Sequence, residues 1–333
     1  MKKWLLFLLA VCLCCAFAGC GEETEVAQPT ETDRLAGVCL AGVETDELSQ
    51  QLQQQLQLQG FQVRMEYAAR DAVQQASQME ELLDAGVDCL IVQAVDSVAL
   101  LAAEAVAKEK KIPIIACDTM LMDTDWVWGC VSYNYEALGT QMARQVVTAE
   151  KLDETEGSAT IEFFMGMPED WGALLLHKGA MSVLQAYLSS GKLVCISGRV
   201  SFEDTYVPDG SGQQAQDACY DRLSLHYGEK KLDICFAGSD QIAAGCRVAL
   251  DEKGYTQDNW PALIGQGGEN AQSVKDGYQL CTFQKDDFKM ARQCATWAVA
   301  AANGENPPKG TTVFNHVKDV PVSYLPVTLI TQG

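Results

Sequence analysis

Lys111-Ile112-Pro113-Ile114-Ile115-Ala116-Cys117-Asp118-Thr119 is the stretch on which the fold turns. Ile112 and then Ile114 to Cys117 form a nearly unbroken apolar run, rich in β-branched residues, that stops at an aspartate. A run of this length and composition reads as a strand buried on both faces, as in a parallel sheet covered by helices. Asp118 then stands at the carboxyl end of that strand. In open α/β sheets the ligand crevice lies outside those ends, so Asp118 is a candidate cleft residue.

Outward from this stretch the pattern alternates. Strands are expected at 35–41, 61–67 and 87–92, and helices at 44–59, 72–85 and 97–110. In the first helix Leu48, Leu52 and Leu56 share a face, and Gly60 stops it. After residue 118, strands are expected at 127–132, 159–165, 193–197, 232–237, 262–265 and 280–283, with an extended tail at 322–330. Helices are expected at 135–150, 173–188, 213–226, 242–252, 270–276 and 288–302. Such alternation implies parallel sheets with right-handed crossovers. The 333 residues suffice for two similar α/β lobes, each a parallel sheet flanked by helices.

Composition narrows the function classes. The chain is 48% hydrophobic and 21% charged, a globular balance. A formal net charge of -21 argues against nucleic-acid binding, which needs a basic footprint. Residues 1–20 read as an export leader: Lys2 and Lys3, then an apolar stretch, then Ala18-Gly19-Cys20. Small residues before a cysteine resemble a bacterial lipobox, which implies cleavage and lipidation at Cys20. Residues 21–33 are acidic, with Thr, Gln and Pro, and read as a flexible tether. The ten cysteines beyond the leader show no C-x-x-C and no zinc spacing, so no metal is expected. Several fall inside strand-like runs, where cysteine behaves as a small hydrophobe.

Several stretches together resemble the type I periplasmic sugar-binding proteins, and within them the multiple-sugar and xylose receptors of ABC importers. The opening stretch resembles the family strand that ends in a sugar-binding Asp. Ser132-Tyr133-Asn134 with Ala137-Leu138-Gly139 resembles the first hinge crossing. Ile161 to Phe164, Gly179 to Leu184 and Ser190 to Val194 resemble the first strand-helix-strand unit of the second lobe. Gly265-Gln266 and Gln284-Lys285-Asp286 resemble the last two ligand loops. The resemblance covers most of the chain after residue 34. It implies a first lobe of 34–132 plus 286–320, a second of 133–285 plus 321–333, three hinge crossings, and a ligand held between the lobes. It carries departures too. Thr119 stands where the family has Arg, Tyr133 where it has Asp, and Trp171-Gly172 where it has an Asn pair. The loop at 42–46 lacks the family's Arg and Trp.

The resemblance and the residue chemistry give one expected site. Sugars need planar multidentate side chains and an apolar face to stack on. Asp118 and Thr119 are expected to act from the first lobe, Trp171, Asp240, Gln266 and Glu269 from the second, and Lys285 and Asn134 near the hinge. Trp126 and Trp128 are weaker stacking candidates, and Asp209 reads as a turn residue. Enzymatic motifs are missing: there is no G-x-S-x-G and no P-loop, and the glycine run at 265–268 does not complete a dinucleotide fingerprint. The expected protein is therefore an extracytoplasmic, lipid-anchored binder, without enzymatic activity or cofactor. It is expected to capture a small polar ligand, a monosaccharide above all, for an ABC permease. The alternative is a membrane-tethered sensor that signals to a receptor kinase or chemoreceptor.

Overall fold

The computed structural model describes residues 34–154 and 156–332. The leader, the tether and the lipidation expected at Cys20 lie outside the described residues.

In chain order the first half gives β1 (Leu35–Leu40), α1 (Glu47–Leu58), β2 (Gln62–Tyr67), α2 (Ala72–Asp84), β3 (Cys89–Val92), α3 (Leu101–Lys110), β4 (Ile114–Cys117) and β5 (Gly129–Tyr133). There follow α4 (Tyr135–Ala149), β6 (Ala159–Phe164), α5 (Trp171–Ser190), β7 (Leu193–Val194), α6 (Phe202–Thr205), α7 (Gly212–Arg222), β8 (Ile234–Ala237), α8 (Asp240–Glu252) and β9 (Ala262–Ile264). The chain closes with α9 (Ala271–Lys275), β10 (Cys281–Gln284), α10 (Asp287–Ala302), β11 (Thr312–Phe314), β12 (Asp319–Leu325) and β13 (Thr328–Thr331).

Among the described residues these strands form two sheets. A seven-stranded sheet has the order β11-β12-β5-β4-β3-β1-β2, and a six-stranded sheet the order β13-β10-β9-β8-β6-β7. Both are parallel except at one edge, where β11 and β13 run antiparallel to their neighbours. The expected α/β architecture of two similar lobes is the observed one. The four residues of β4 are fully buried, as the apolar run requires. The helix before β4 ends at Lys111 in the left-handed conformation, two residues ahead of Pro113.

The last crossing differs from expectation. The tail was expected to join the second lobe after residue 320. Instead β12 pairs in parallel with β5, from Val322 opposite Cys130 to Leu325 opposite Tyr133. Val320 and Val322 are buried in the first-lobe core, which holds the strand there. The chain changes sheets between Leu325 and Thr328, at Pro326-Val327, where proline has no N–H for a ladder. The strand expected at 193–197 is also shorter than its apolar pattern. It stops at Val194, and Ser197 turns aside to give its N–H and hydroxyl to Glu162.

Where the chain enters the second lobe, two helices meet backbone to backbone. A Cβ on Gly139 of α4 would lie 1.9 Å from the carbonyl oxygen of Leu176, and one on Gly179 of α5 1.9 Å from that of Glu136. Thr140 Oγ1 donates to the Gly179 carbonyl across the same contact at 3.1 Å. This close approach fixes the start of α5, and so Trp171, relative to the first crossing. Two crossings are also tied directly: the Asp286 N–H donates to Tyr133 Oη at 3.0 Å.

Candidate functional site

The residues that follow nearly every parallel strand converge on one cleft of about 960 Å³. From the first lobe come Ala41 after β1, Gln93 after β3, and Asp118 and Thr119 after β4. From the second come Gly166 and Met167 after β6, Gly238 after β8, and Gln266 after β9. Lys285 follows β10 at a crossing. This is the crevice that parallel sheets leave outside their carboxyl ends.

Asp118 is held in an uncommon conformation. Its φ is 62°, in the left-handed region that an L-residue with a short polar side chain tolerates best. The Thr119 N–H closes a three-residue turn on the Cys117 carbonyl at 2.7 Å. The Asp118 N–H donates to the Val131 carbonyl, and its own carbonyl accepts from Ser132 Oγ at 2.6 Å. With its backbone fixed on both sides, the carboxylate turns toward the hinge. Tyr135 Oη donates to Asp118 Oδ1 at 2.7 Å, and Lys285 Nζ lies 3.5 Å from Oδ2. Lys285 also donates to Tyr135 Oη at 2.6 Å and sits over the Tyr135 ring, 4.8 Å from its centroid. Burial, followed by the Asp118 charge, pushes the Tyr135 phenol well above its ordinary range, so it remains a donor.

Trp171 is the first residue of α5. Asp170 caps the helix by accepting the N–H of Gly172 at 2.8 Å and of Ala173 at 3.2 Å. Burial raises the Asp170 carboxyl above its usual value. The indole packs on the first-lobe cluster that contains Met120, Leu121 and Met122, and meets His316 edge-on at 6.3 Å. A second-lobe residue thus touches the first lobe across the cleft. Gln266 is 8% exposed; its Nε2 donates to the Gly238 carbonyl at 2.9 Å, and its Oε1 has no partner. Glu269 lines the cleft half-buried, and burial, with Asp240 nearby, raises its carboxyl.

The structure therefore brings together Asp118, Thr119, Trp171, Gln266, Glu269 and Lys285. Two expected residues are not among the cleft's lining. Asn134 is exposed and caps α4, its Oδ1 accepting from the Ala137 N–H at 3.0 Å. Asp240 is fully buried. Its Oδ1 accepts from Gln279 Nε2 at 2.8 Å. Its Oδ2 accepts from the N–H of Gly268 and of Asn270 and from Thr282 Oγ1 at 2.9, 3.0 and 2.7 Å. It holds the loop that carries Glu269, and its full burial keeps it from a ligand in the cleft. Trp126 and Trp128 spend their indole N–H groups on the Ile112 and Glu305 carbonyls, away from the cleft. Asp209 takes the Ser211 N–H in a turn, as its setting suggested.

Sequence reasoning passed over Arg70, Gln93, Tyr135 and Asp170, all of which line the cleft. Gln93 directly follows the buried strand β3, so the rule that found Asp118 applied to it equally. Arg70 follows β2 in a left-handed turn, φ 65°. Tyr135 and Asp170 sit where a strand passes into a helix, a position the sequence marks only by capping.

The ten cysteines among the described residues are free thiols. Three of them, Cys219, Cys235 and Cys246, bring their sulfurs within 4.8 Å of one another inside the second lobe, outside the cleft lining.

Two parallel-sheet lobes, crossed three times by the chain and closing on a cleft between strand ends, define a bilobal ligand-binding protein. The chain belongs to the periplasmic binding protein domain family, whose profile matches residues 45–306. That is a family of binding proteins, in keeping with the non-enzymatic reading. Among its relatives is the multiple sugar-binding periplasmic protein SbpA of Azospirillum brasilense, 29% identical over 275 residues, 81% of this chain and 77% of that protein. The D-xylose-binding periplasmic protein of Escherichia coli is 28% identical over 264 residues, 79% of this chain and 75% of that one. A solved ABC transporter solute-binding protein from Clostridium phytofermentans, with bound β-D-glucose, is 27% identical and superposes with a TM-score of 0.85 over 90% of this chain and 94% of its own.

Proposed function

We propose that this protein captures a monosaccharide between its lobes outside the cytoplasm and delivers it to an ABC permease, tethered to the membrane by lipid on Cys20. The observation that carries the reading is the convergence of strand-end groups from both lobes, with the Asp118–Lys285–Tyr135 corner, on one cleft. The sugars bound by the relatives support a sugar ligand. Asp118 and Thr119 meet the ligand from the first lobe, Trp171, Gln266 and Glu269 from the second, and Lys285 from the hinge. Trp171 offers the apolar face on which a pyranose stacks. A ligand touching both lobes at once favours the closed arrangement, because only differential contacts shift a conformational equilibrium.

A thermal-shift panel of aldoses, ketoses and polyols tests the reading. A true ligand at a hundred times its Kd stabilises the folded chain by about 2.7 kcal/mol, which raises Tm by several degrees. A panel without any response removes sugar capture. The anchor is tested separately: palmitate label incorporated by the wild type and equally by Cys20→Ala would remove the lipid from the proposal.

A further inference from the structure

The cleft holds more negative charge than its own cations balance. Seven carboxylates line it, against Arg70 and Lys285. Four of the seven are committed to the protein. Asp118 faces Lys285, Asp170 caps α5, Asp286 pairs with Lys289 at 2.8 Å, and Asp46 accepts the Val43 N–H. Glu47, Glu269 and Asp287 have no ion pair among the described residues. They come from three places: Glu47 from the start of α1 in the first lobe, Glu269 from the loop after β9 in the second, and Asp287 from the crossing into α10. A ligand group that answers all three therefore spans the lobes.

Gln266 is an independent second observation. It is 8% exposed, lines the cleft, and leaves its Oε1 unpartnered. An amide oxygen only accepts hydrogen bonds. The open demand of the cleft is thus for donors with positive charge.

We infer that the cleft selects an amino sugar or amino cyclitol, a ring polyol bearing a protonated primary amine, over the neutral sugar of the same ring. This rests on the proposal that the cleft takes a sugar. An ammonium group supplies three donors and no acceptor, which is what Glu47, Glu269, Asp287 and Gln266 Oε1 leave open. The ring hydroxyls meet the Asp118–Lys285 corner, which offers both an acceptor and a donor, and an apolar ring face meets Trp171. The electrostatics agree. Burial, then the neighbouring Glu47, pushes the Asp287 carboxyl up to about 6, and burial also raises Glu269. Keeping these groups ionised in an empty cleft is unfavourable, and an incoming cation relieves it. The chain's net charge of -21 adds a long-range field that draws cations in.

Titration calorimetry on the full chain near neutral pH decides the matter. The probes are glucose, galactose and mannose, their 2-amino counterparts, and the N-acetylated forms, which keep the nitrogen and lose the charge. The expected result is an amine bound at least about tenfold more tightly than both its hydroxyl and its N-acetyl counterparts. Glu269→Gln should then weaken the amine by about tenfold or more, while Glu269→Asp keeps most of the affinity. A neutral sugar bound as tightly as its amine overturns the inference and leaves sugar capture standing. Amine affinity unmoved by Glu269→Gln and Asp287→Asn together also overturns it. If no member of this panel binds, the inference falls, and sugar capture falls with it when the thermal-shift panel is silent as well.

Discussion

The ends of β4 and β8 look alike in sequence and do opposite things. Each is a fully buried four-residue strand, Ile114–Cys117 and Ile234–Ala237, and each runs into an aspartate within three residues. Asp118 follows its strand at once, in a left-handed turn with no helix after it, and its side chain stays 17% exposed beside Lys285. Asp240 comes after Gly238 and Ser239. Ser239 caps α8 through the Ile242 N–H, so Asp240 is drawn into the first helical turn and under the loop 266–270. Four donors meet its two oxygens there. Opening a helix does not by itself remove a side chain from the cleft, since Asp287 opens α10 and still lines it; Asp240 is removed because the loop 266–270 closes over it. What then decides the role is how many protein donors are already waiting.

The sharpest test of this contrast is Asp240→Ala. It leaves Gln279 Nε2, the N–H groups of Gly268 and Asn270, and Thr282 Oγ1 without their acceptor in a fully buried place. Loss of a buried charged acceptor with this many partners should cost about 3–5 kcal/mol, read by urea denaturation. A loss below about 1 kcal/mol would mean that Asp240 does not hold the loop, and the contrast would collapse.

Asp118→Asn should show the reverse profile. The amide keeps the shape and an acceptor for Tyr135, but it removes the charge facing Lys285. That pair is partly exposed, so stability should change by no more than about 1 kcal/mol. Ligand affinity should fall by about 2–3 kcal/mol, because hydrogen bonds to a charged group are the strong ones. Calorimetry against denaturation separates the two quantities. An unchanged affinity together with a large stability loss would place both aspartates among structural groups.

The fold was legible because its signal is spread along the chain. Apolar runs such as 114–117 and 234–237, punctuated by Gly60, Gly191 and Pro113, determine strands and helices locally. What failed locally was the tail. Residues 322–330 read as one extended segment, and only the burial of Val320 and Val322 in the first lobe divides it at Pro326. Strand-end position pointed to Asp118, the family resemblance to Thr119, Gln266 and Lys285, and all four line the cleft. Strand-end position pointed equally to Asp240, which lies buried off the cleft lining, because the donors around a carboxylate come from residues up to 42 positions away, such as Thr282. Asn134 lies off the cleft lining for a simpler reason: an Asn before a helix serves a cap as readily as a ligand, and the Ala137 N–H donates to it. Tyr135 and Asp170 were missed because their roles depend on the close packing of α4 on α5, which glycines 139 and 179 permit and no short motif announces.

A third strand-end carboxylate lies between the two extremes and gives the finest test. Asp287 opens α10 just beyond β10, half-buried, without the donors of Asp240, and with Lys285 acting on it only from beyond ion-pair distance. Burial, then Glu47, pushes its carboxyl up to about 6, whereas in an unfolded chain an aspartate titrates near ~4. Between those values the folded protein keeps a proton that the unfolded chain has released. Stability from this group therefore falls as pH rises through that window, and the deficit persists at neutral pH. Asp287→Asn removes the deficit. The ligand-free variant should gain on the wild type between pH ~4 and pH ~7, by less than about 1 kcal/mol because solvent screens the site. Tm values of the two proteins across that range provide the measurement. If their difference stays constant with pH, the Asp287 charge is not held at a cost, and the cleft is less starved of cations than its lining indicates.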